Sequence, residues 1–400
     1  MKTDDDDAPS GPASAPSSSS SSSSFRHLPA LDGVRGIAIA LVVAHMLNPL
    51  VSPAGPAAKA LVLAFGMGWV GVQLFFVLSG FLITGILLDT RGAENFLSAF
   101  FARRVLRIFP LYYATLFVTF ALVPLLGVTG PALAHDRGHQ IWLWTYLENW
   151  VAPFAAGSRV FPHFWSLAVE EQFYLIWPFV LRGRGARSCL VLCLALAAAS
   201  LAARIALLAV GGSSDEIYTF TVTRMDALAL GGAGAAALRI PNLSTHLTAR
   251  RGRLWWTAAA LGLGGMLLTR GYSRESVSGA TLGYTILSVT FALGVVAAAA
   301  ADVTRAPASW LRASPLRALG RYSYGMYVFH KPLHDLVGKR LLARLGTAAS
   351  RSPALACIYV TCGLAVTFAA AYVSYRVFES RFLRLKTRFV PRLAEQQTIK

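Results

Sequence analysis

The chain has 400 residues, of which 55% are hydrophobic and only 14% charged, and its mean hydropathy is +0.53. Those values exclude an ordinary water-soluble domain and place the chain among polytopic membrane proteins. A net charge of +18 would suggest nucleic acid in a soluble protein. Here the basic residues fall in clusters between apolar spans, as the positive-inside rule expects of cytoplasmic loops, and no nucleic-acid partner is expected.

Residues 1–27 are of a different material: aspartates from Asp4 to Asp7, then Pro, Ala and Gly, then an unbroken serine run from Ser17 to Ser24. That composition predicts a disordered tail. It is no secretory signal, because its start is acidic and no apolar stretch follows before residue 31, so the first span is expected to act as an uncleaved anchor.

Apolar stretches of about 20 residues, the length that crosses a bilayer, lie near 30–50, 68–88, 108–127, 163–181, 189–210, 224–239, 254–269, 281–301, 322–338 and 354–376. The expected fold is therefore an all-α bundle of about ten transmembrane helices. Residues 141–151 are apolar too, but as a helix they rise only about 17 Å, so they are expected to form an extra short interfacial helix. Counting them as interfacial puts the arginines of 89–107, 182–188, 239–253 and 305–321 and the C-terminal tail on one side, which predicts both termini cytoplasmic. The loop 339–353, with Lys339, Arg340, Arg344 and Arg351, falls on the other side against that rule.

The ionisable residues inside or at the mouths of these spans are Asp32, Arg35, His45, Glu170, Glu171, Arg224, Asp226, His330 and Glu379. Each costs about 2.5 to 3.5 kcal/mol at a span centre even on the lenient insertion scale, and such residues normally face a cavity and pair with one another. No HExxH or ExxH spacing occurs on these spans, so no bound metal is expected. Glycine loops of the GxGxxG and GxxxxGK types and a GxSxG serine are likewise missing. Cys189, Cys193, Cys357 and Cys362 all lie in apolar spans without CxxC spacing and read as small core residues.

His45 follows Arg35 by ten residues, about 15 Å along a helix axis. An imidazole suits proton removal from a hydroxyl, and equally suits packing between helices. Asp32 and Arg35 read as a cavity pair or as an interfacial salt bridge. Arg103, Arg104 and Arg107 sit together at the mouth of the third span, where guanidinium forks suit phosphate and also suit topology anchoring or lipid headgroups. Glu170 and Glu171 interrupt FPHFWSLAVEEQFYLIWPFVL (161–181) near the outer end of the fourth span, opposite the arginine mouth, with His45 between the two in depth. His330, beside Lys331, is a candidate site residue or a boundary histidine.

Six segments in order, LDGVRGIAIALVVAHM, GVQLFFVLSGFLITGILL, FFARRVLRIFPLYY, HFWSLAVEEQFYLIWP, TRMDALALGG and RYSYGMYVFHKPL, resemble the motifs of the acyltransferase-3 family of integral-membrane O-acyltransferases. The resemblance covers residues 28–386, leaving 387–400 as a cytoplasmic tail, and it implies a ten-helix membrane domain. It further implies transfer of an acetyl or other short acyl group from acyl-CoA to a hydroxyl of a sugar, in a surface polysaccharide or a glycosylated metabolite. Carried over, His45 is the general base, Arg35 and Glu170 support it, and Arg103, Arg104 and Arg107 contact the CoA phosphates. Asp32, Glu171, Arg224, Asp226 and His330 are then substrate or supporting residues, and membrane lipid and a glycan acceptor are the partners. Two departures stand out: nine residues rather than ten separate Arg35 from His45, a rotation of about 100° on a helix, and Phe378-Glu379 lacks the proline that usually follows. The competing class is a transporter, which ten spans and the glycine-rich 231–238 would suit, but the WSLAVEEQFY and FFVLSGFLITG motifs have no repeat in the other half.

Overall fold

The computed structural model describes residues 28–50, 55–300, 307–346 and 351–392. The acidic, serine-rich tail and residues 393–400 lie outside them. The described residues form helices and turns, without a strand. The long helices are α1 (Pro29–Leu47), α2 (Gly55–Gly66), α3 (Val70–Asp89), α4 (Phe96–Phe117), α5 (Pro131–His139), α6 (Trp165–Leu181), α7 (Ala186–Ala209), α8 (Thr221–Ala237), α9 (Arg251–Leu268), α10 (Tyr284–Ala299), α11 (Ser314–Leu333) and α12 (Pro353–Ser374).

Local chemistry explains the ends. α1 opens on Pro29, whose missing N–H costs nothing in a first turn, and carries Asp32 on the positive end of the helix dipole. It stops before Asn48-Pro49, because the residue ahead of a proline is pushed out of the helical region. Pro110 inside α4 and Pro178 inside α6 each leave one carbonyl of the preceding turn without its helical N–H.

Packing relies on glycine where backbones cross. α1 runs along α11 and α3 runs along α8. At these crossings a Cβ on Gly320 would sit 1.9 Å from the Asp32 carbonyl oxygen, and one on Gly80 would sit 1.8 Å from that of Leu228. Apolar tails give helices in a bilayer little reason to associate, so this close backbone approach supplies the van der Waals contact that does.

The protein is an all-α polytopic membrane protein. Six described helical segments, Pro29–Leu47, Gly55–Asp89, Phe96–Leu125, Ala186–Ala209, Gly279–Ala299 and Pro353–Arg388, are long and apolar enough to cross a bilayer. The other expected spans fall on α6, α8, α9 and α11, which are shorter or more polar. Three details differ from expectation. The third helix begins at Phe96, not near residue 108, so its arginines lie within the helix and not ahead of it. Residues 141–151 form two single turns, Ile141–Trp144 and Glu148–Val151, broken at Tyr146 with φ of 55°. Cys189 and Cys193 are buried, but Cys357 and Cys362 are exposed, since α12 buries only a narrow stripe.

The segment between α4 and α6 is a built cap. Tyr112 donates to the Leu143 carbonyl at 2.7 Å, and Tyr146 stacks on Tyr112 with centroids 4.2 Å apart. Gln172 of α6 donates to the Tyr146 carbonyl at 2.8 Å and to Asn149 Oδ1 at 2.7 Å, so the cap also fixes the helix that carries Glu170 and Glu171. Within it, Asp136 accepts from Ser158 Oγ at 2.5 Å and from the backbone of Arg159 at 2.8 Å and Val160 at 2.9 Å. Glu148 accepts from the Ser158 N–H at 2.5 Å.

Burial pushes the Glu148 carboxyl up to about 8 from an ordinary 4.5; the Ser158 N–H opposes this and the nearby Asp136 adds to it. The folded cap therefore holds a proton that the unfolded chain has lost between those values, so stability falls as pH rises toward 8. Thermal unfolding of the purified protein should show its midpoint dropping from pH 6 to about 9, and Glu148→Gln should flatten that drop. An unchanged slope in the variant would assign the pH dependence elsewhere.

Candidate active site

α1, α3, α4, α6 and α11 enclose a cavity of about 90 Å³ whose polar lining is Arg35, Ser79, Arg104, Arg107, Ser166, Glu170, Glu171, Tyr174, Ser323, Tyr324 and Tyr327. Its remaining walls are apolar, among them Phe75, Phe76 and Leu167. Glu170 accepts a 2.6 Å hydrogen bond from Ser79, and the Arg104 guanidinium lies over the Tyr174 ring, 4.3 Å from its centroid. Cations and carboxylates thus share one pocket between helices, where partial burial strengthens their interactions.

This arrangement corrects the expected separation in depth. Arg104 is eight residues inside α4 and Glu170 five residues inside α6, so both reach the same cavity instead of opposite faces of the membrane. His45 does not lie between them. It sits in the last turn of α1, ten residues or about 15 Å along the axis from Arg35, and is not among the cavity's lining residues.

The His45 ring is held by one hydrogen bond. Its Nδ1 is 2.9 Å from the Phe65 carbonyl oxygen, which can only accept, so Nδ1 carries the hydrogen and Nε2 keeps its lone pair. Arg35 faces the cavity and lies 4.0 Å from Asp32.

Arg224 and Asp226 stand two residues apart on α8 and serve different surroundings. The Arg224 guanidinium is enclosed by Tyr284 and Tyr218 at 4.4 and 5.0 Å and by Phe76 at 5.7 Å, and it donates to Gln73 Oε1. Gln73 passes that bond on to Ser288 at 2.6 Å. Phe76 is also a cavity wall, so the caged cation backs the cavity without lining it. Asp226 pairs instead with Arg204 at 2.9 Å, both side chains fully buried, with Thr285 bridging them.

His330 is buried behind the cavity, its Nδ1 2.7 Å from the Tyr327 carbonyl and its ring 4.6 Å from that of His163. Tyr327 connects this pair to the cavity, where its hydroxyl lies 2.5 Å from Ser166 Oγ. Glu379 accepts from Ser374 at 3.1 Å. Arg103 lines a neighbouring cavity with Arg104 and Arg107. Among the described residues no three His, Cys, Asp or Glu side chains gather as metal ligands.

Sequence reasoning missed Ser79, Gln73, Tyr174, His163 and Arg204. Arg204, inside the apolar run of α7, and His163, at the head of the expected span 163–181, carried the same energetic signal as Arg224.

The helices bring cations and carboxylates together around one pocket. Residues 28–376 match the family model described as an acyltransferase domain, and the chain belongs to that family of acyl-transferring enzymes. It is 30% identical over 333 residues to a peptidoglycan O-acetyltransferase of Listeria monocytogenes, covering 78% of this chain and 50% of that protein. It is 28% identical over 324 residues to an O-acetyltransferase of Staphylococcus aureus, covering 77% of this chain and 51% of that one. The chain thus spans about half the length of the relatives it matches. No solved structure matches it.

Proposed function

We propose that the chain is a membrane O-acyltransferase that moves an acetyl or other short acyl group from acyl-CoA to a hydroxyl of a sugar in a surface or extracellular glycan. The convergence of Arg35, Arg104 and Arg107 with Glu170 and Glu171 on one cavity supports this reading, together with the family. The names of the relatives favour a sugar polymer as acceptor and acetyl as the group moved.

In this reading the CoA phosphates rest on Arg103, Arg104 and Arg107, whose planar forks bind phosphate oxygens in pairs. The arginines lie at the cytoplasmic end, with both termini on that side. The thioester reaches past Arg35 and Glu170 into the bundle. His45 Nε2 takes the proton of the acceptor hydroxyl, whose oxygen forms the new bond to the acyl carbon. The carbon–sulfur bond breaks, and the proton goes to the departing thiolate.

The test is transfer of label from acetyl-CoA to glycan by membranes containing the chain. Arg103→Ala with Arg107→Ala should raise the KM for acetyl-CoA at least about tenfold, the worth of one lost charge-assisted hydrogen bond. An unchanged KM would reduce these arginines to topology anchors. Mass spectrometry of glycans from cells with and without the protein identifies the acceptor, and unaltered acylation would overturn the glycan reading.

A further inference from the structure

His45 lines neither cavity, and a separate polar cluster gathers at its own end of α1. A Cβ on Gly68 would sit 2.6 Å from the His45 Cβ, so the imidazole stands beside the turn that carries Trp69. The Trp69 ring meets Tyr218 edge-on at 5.9 Å, and the Arg274 guanidinium covers Tyr218, 3.5 Å from its centroid. Arg274 Nη2 pairs with Asp215 Oδ1 at 3.1 Å, with the two side chains 32% and 66% exposed. Arg274 is near enough for its charge to act on both His45 and Tyr284. An aromatic layer joins this cluster to the cavity of Glu170: Phe76, a cavity wall, lies 6.0 Å from Trp165, and Trp165 lies 4.7 Å from Tyr218.

Local chemistry fixes both members of the pair. Asp215 lies in the first turn of the short helix Ser214–Thr219, which a capping box secures: Ser213 Oγ accepts from the Glu216 N–H at 3.2 Å, and the Glu216 carboxylate accepts from the Ser213 N–H at 2.6 Å. Arg274 follows a turn after α9 in which Arg270 and Tyr272, neither a glycine, take left-handed φ of 52° and 54°. The Tyr272 N–H donates to Thr269 Oγ1 at 3.0 Å and its hydroxyl to the Gly262 carbonyl at 2.8 Å, which holds that costly backbone in place. Two polar atoms beside the pair lack partners: Arg274 Nε and the hydroxyl of the fully buried Tyr284 are without a hydrogen bond among the described residues. A phosphate suits this cluster poorly, because Asp215 already holds one edge of the guanidinium and repels a second anion. A neutral hydroxyl suits it well, since one such group both accepts from an arginine N–H and donates to a carboxylate or tyrosine oxygen.

We infer that Asp215 and Arg274 form the acceptor subsite, holding one sugar ring of the glycan by its hydroxyls so that a neighbouring hydroxyl meets His45 Nε2. The inference deepens the glycan O-acyltransferase reading and rests on it for the ligand. Arg274 donates to one hydroxyl oxygen of the ring and Asp215 accepts from the next, while neither takes the proton that His45 removes. The division is then spatial: acceptor recognition belongs to the turn after α9 and the helix Ser214–Thr219, apart from the arginines of α4.

The experiment measures acetyl transfer by the full chain in nanodiscs, from acetyl-CoA to soluble peptidoglycan fragments, with the KM of donor and acceptor taken separately. Arg274→Lys keeps the positive charge beside Asp215 but removes the planar fork; it should raise the KM for the fragments about tenfold and leave that for acetyl-CoA unchanged. Asp215→Asn should do the same. The exchanged pair, Arg274→Asp with Asp215→Arg, restores a tie between helix and turn but takes the guanidinium off Tyr218, so it should recover the thermal midpoint without recovering the acceptor KM. Recovery of both would make the pair a structural tie only and overturn the subsite. So would a folded Arg274→Lys protein with the acceptor KM of the wild type, and in that case transfer to glycan, and the reading built on it, would still stand. A wild-type chain that consumes acetyl-CoA yet acetylates none of the fragments would instead remove the glycan reading and this subsite with it.

Discussion

Asp226→Ala should destabilise the folded protein by about 3 to 5 kcal/mol, because it strands the Arg204 guanidinium as an uncompensated charge in the bundle. Both side chains are fully buried, 2.9 Å apart. The Arg204 donors have only neutral alternatives, Thr223 O at 2.5 Å, Thr285 Oγ1 at 2.5 Å and Ser200 Oγ at 3.3 Å. Replacing the pair together, Arg204→Met with Asp226→Leu, should cost far less than either single change, since no charge is left behind. Denaturant unfolding in mild detergent measures both. An Asp226→Ala protein that unfolds like the wild type but no longer transfers acyl groups would move Asp226 from scaffold to substrate contact. The same logic separates it from Arg224, whose donors reach Gln73 and whose face is covered by Tyr284 and Tyr218.

Much of the architecture was legible in the sequence because hydropathy is a local property. Each expected span falls on a long helix, and of the residues picked out by their cost in an apolar run Arg35, Glu170 and Glu171 line the cavity and Arg224 backs it, whereas Asp226 pairs with Arg204 and Glu379 accepts from Ser374. What a hydropathy window does not see is a helix that begins inside a charged stretch. The arginines of FFARRVLRIF end the apolar window near residue 108, yet α4 begins at Phe96, and those residues carry Arg104 down to the level of Glu170. Partners were invisible for another reason. Ser79 and Gln73 are ordinary residue types in their segments, and only the helix crossings bring them to Glu170 and Arg224.

His45→Ala should lower kcat for acyl transfer about 10²- to 10⁴-fold, the usual worth of a positioned general base, and leave the KM for acyl-CoA unchanged. The split follows from position. The arginines and Arg35 gather around the cavities, whereas His45 stands one long stride further along α1 and lines neither of them. The Phe65 carbonyl fixes the tautomer with Nε2 free, so the ring is oriented before substrate arrives and its removal costs proton transfer more than binding. His45→Gln retains a donor for Phe65 but supplies no base, so it should fold like the wild type and fail like the alanine. Full kcat in a folded His45→Gln protein would shift the proton acceptor to the carboxylates of the cavity. Glu170, already accepting from Ser79 at 2.6 Å, and Glu171 beside it are the groups within that space able to take the role. In that event Glu170→Gln, and not the histidine substitution, would carry the loss in kcat, with the acceptor hydroxyl brought into the chamber of Arg35 rather than to the far end of α1.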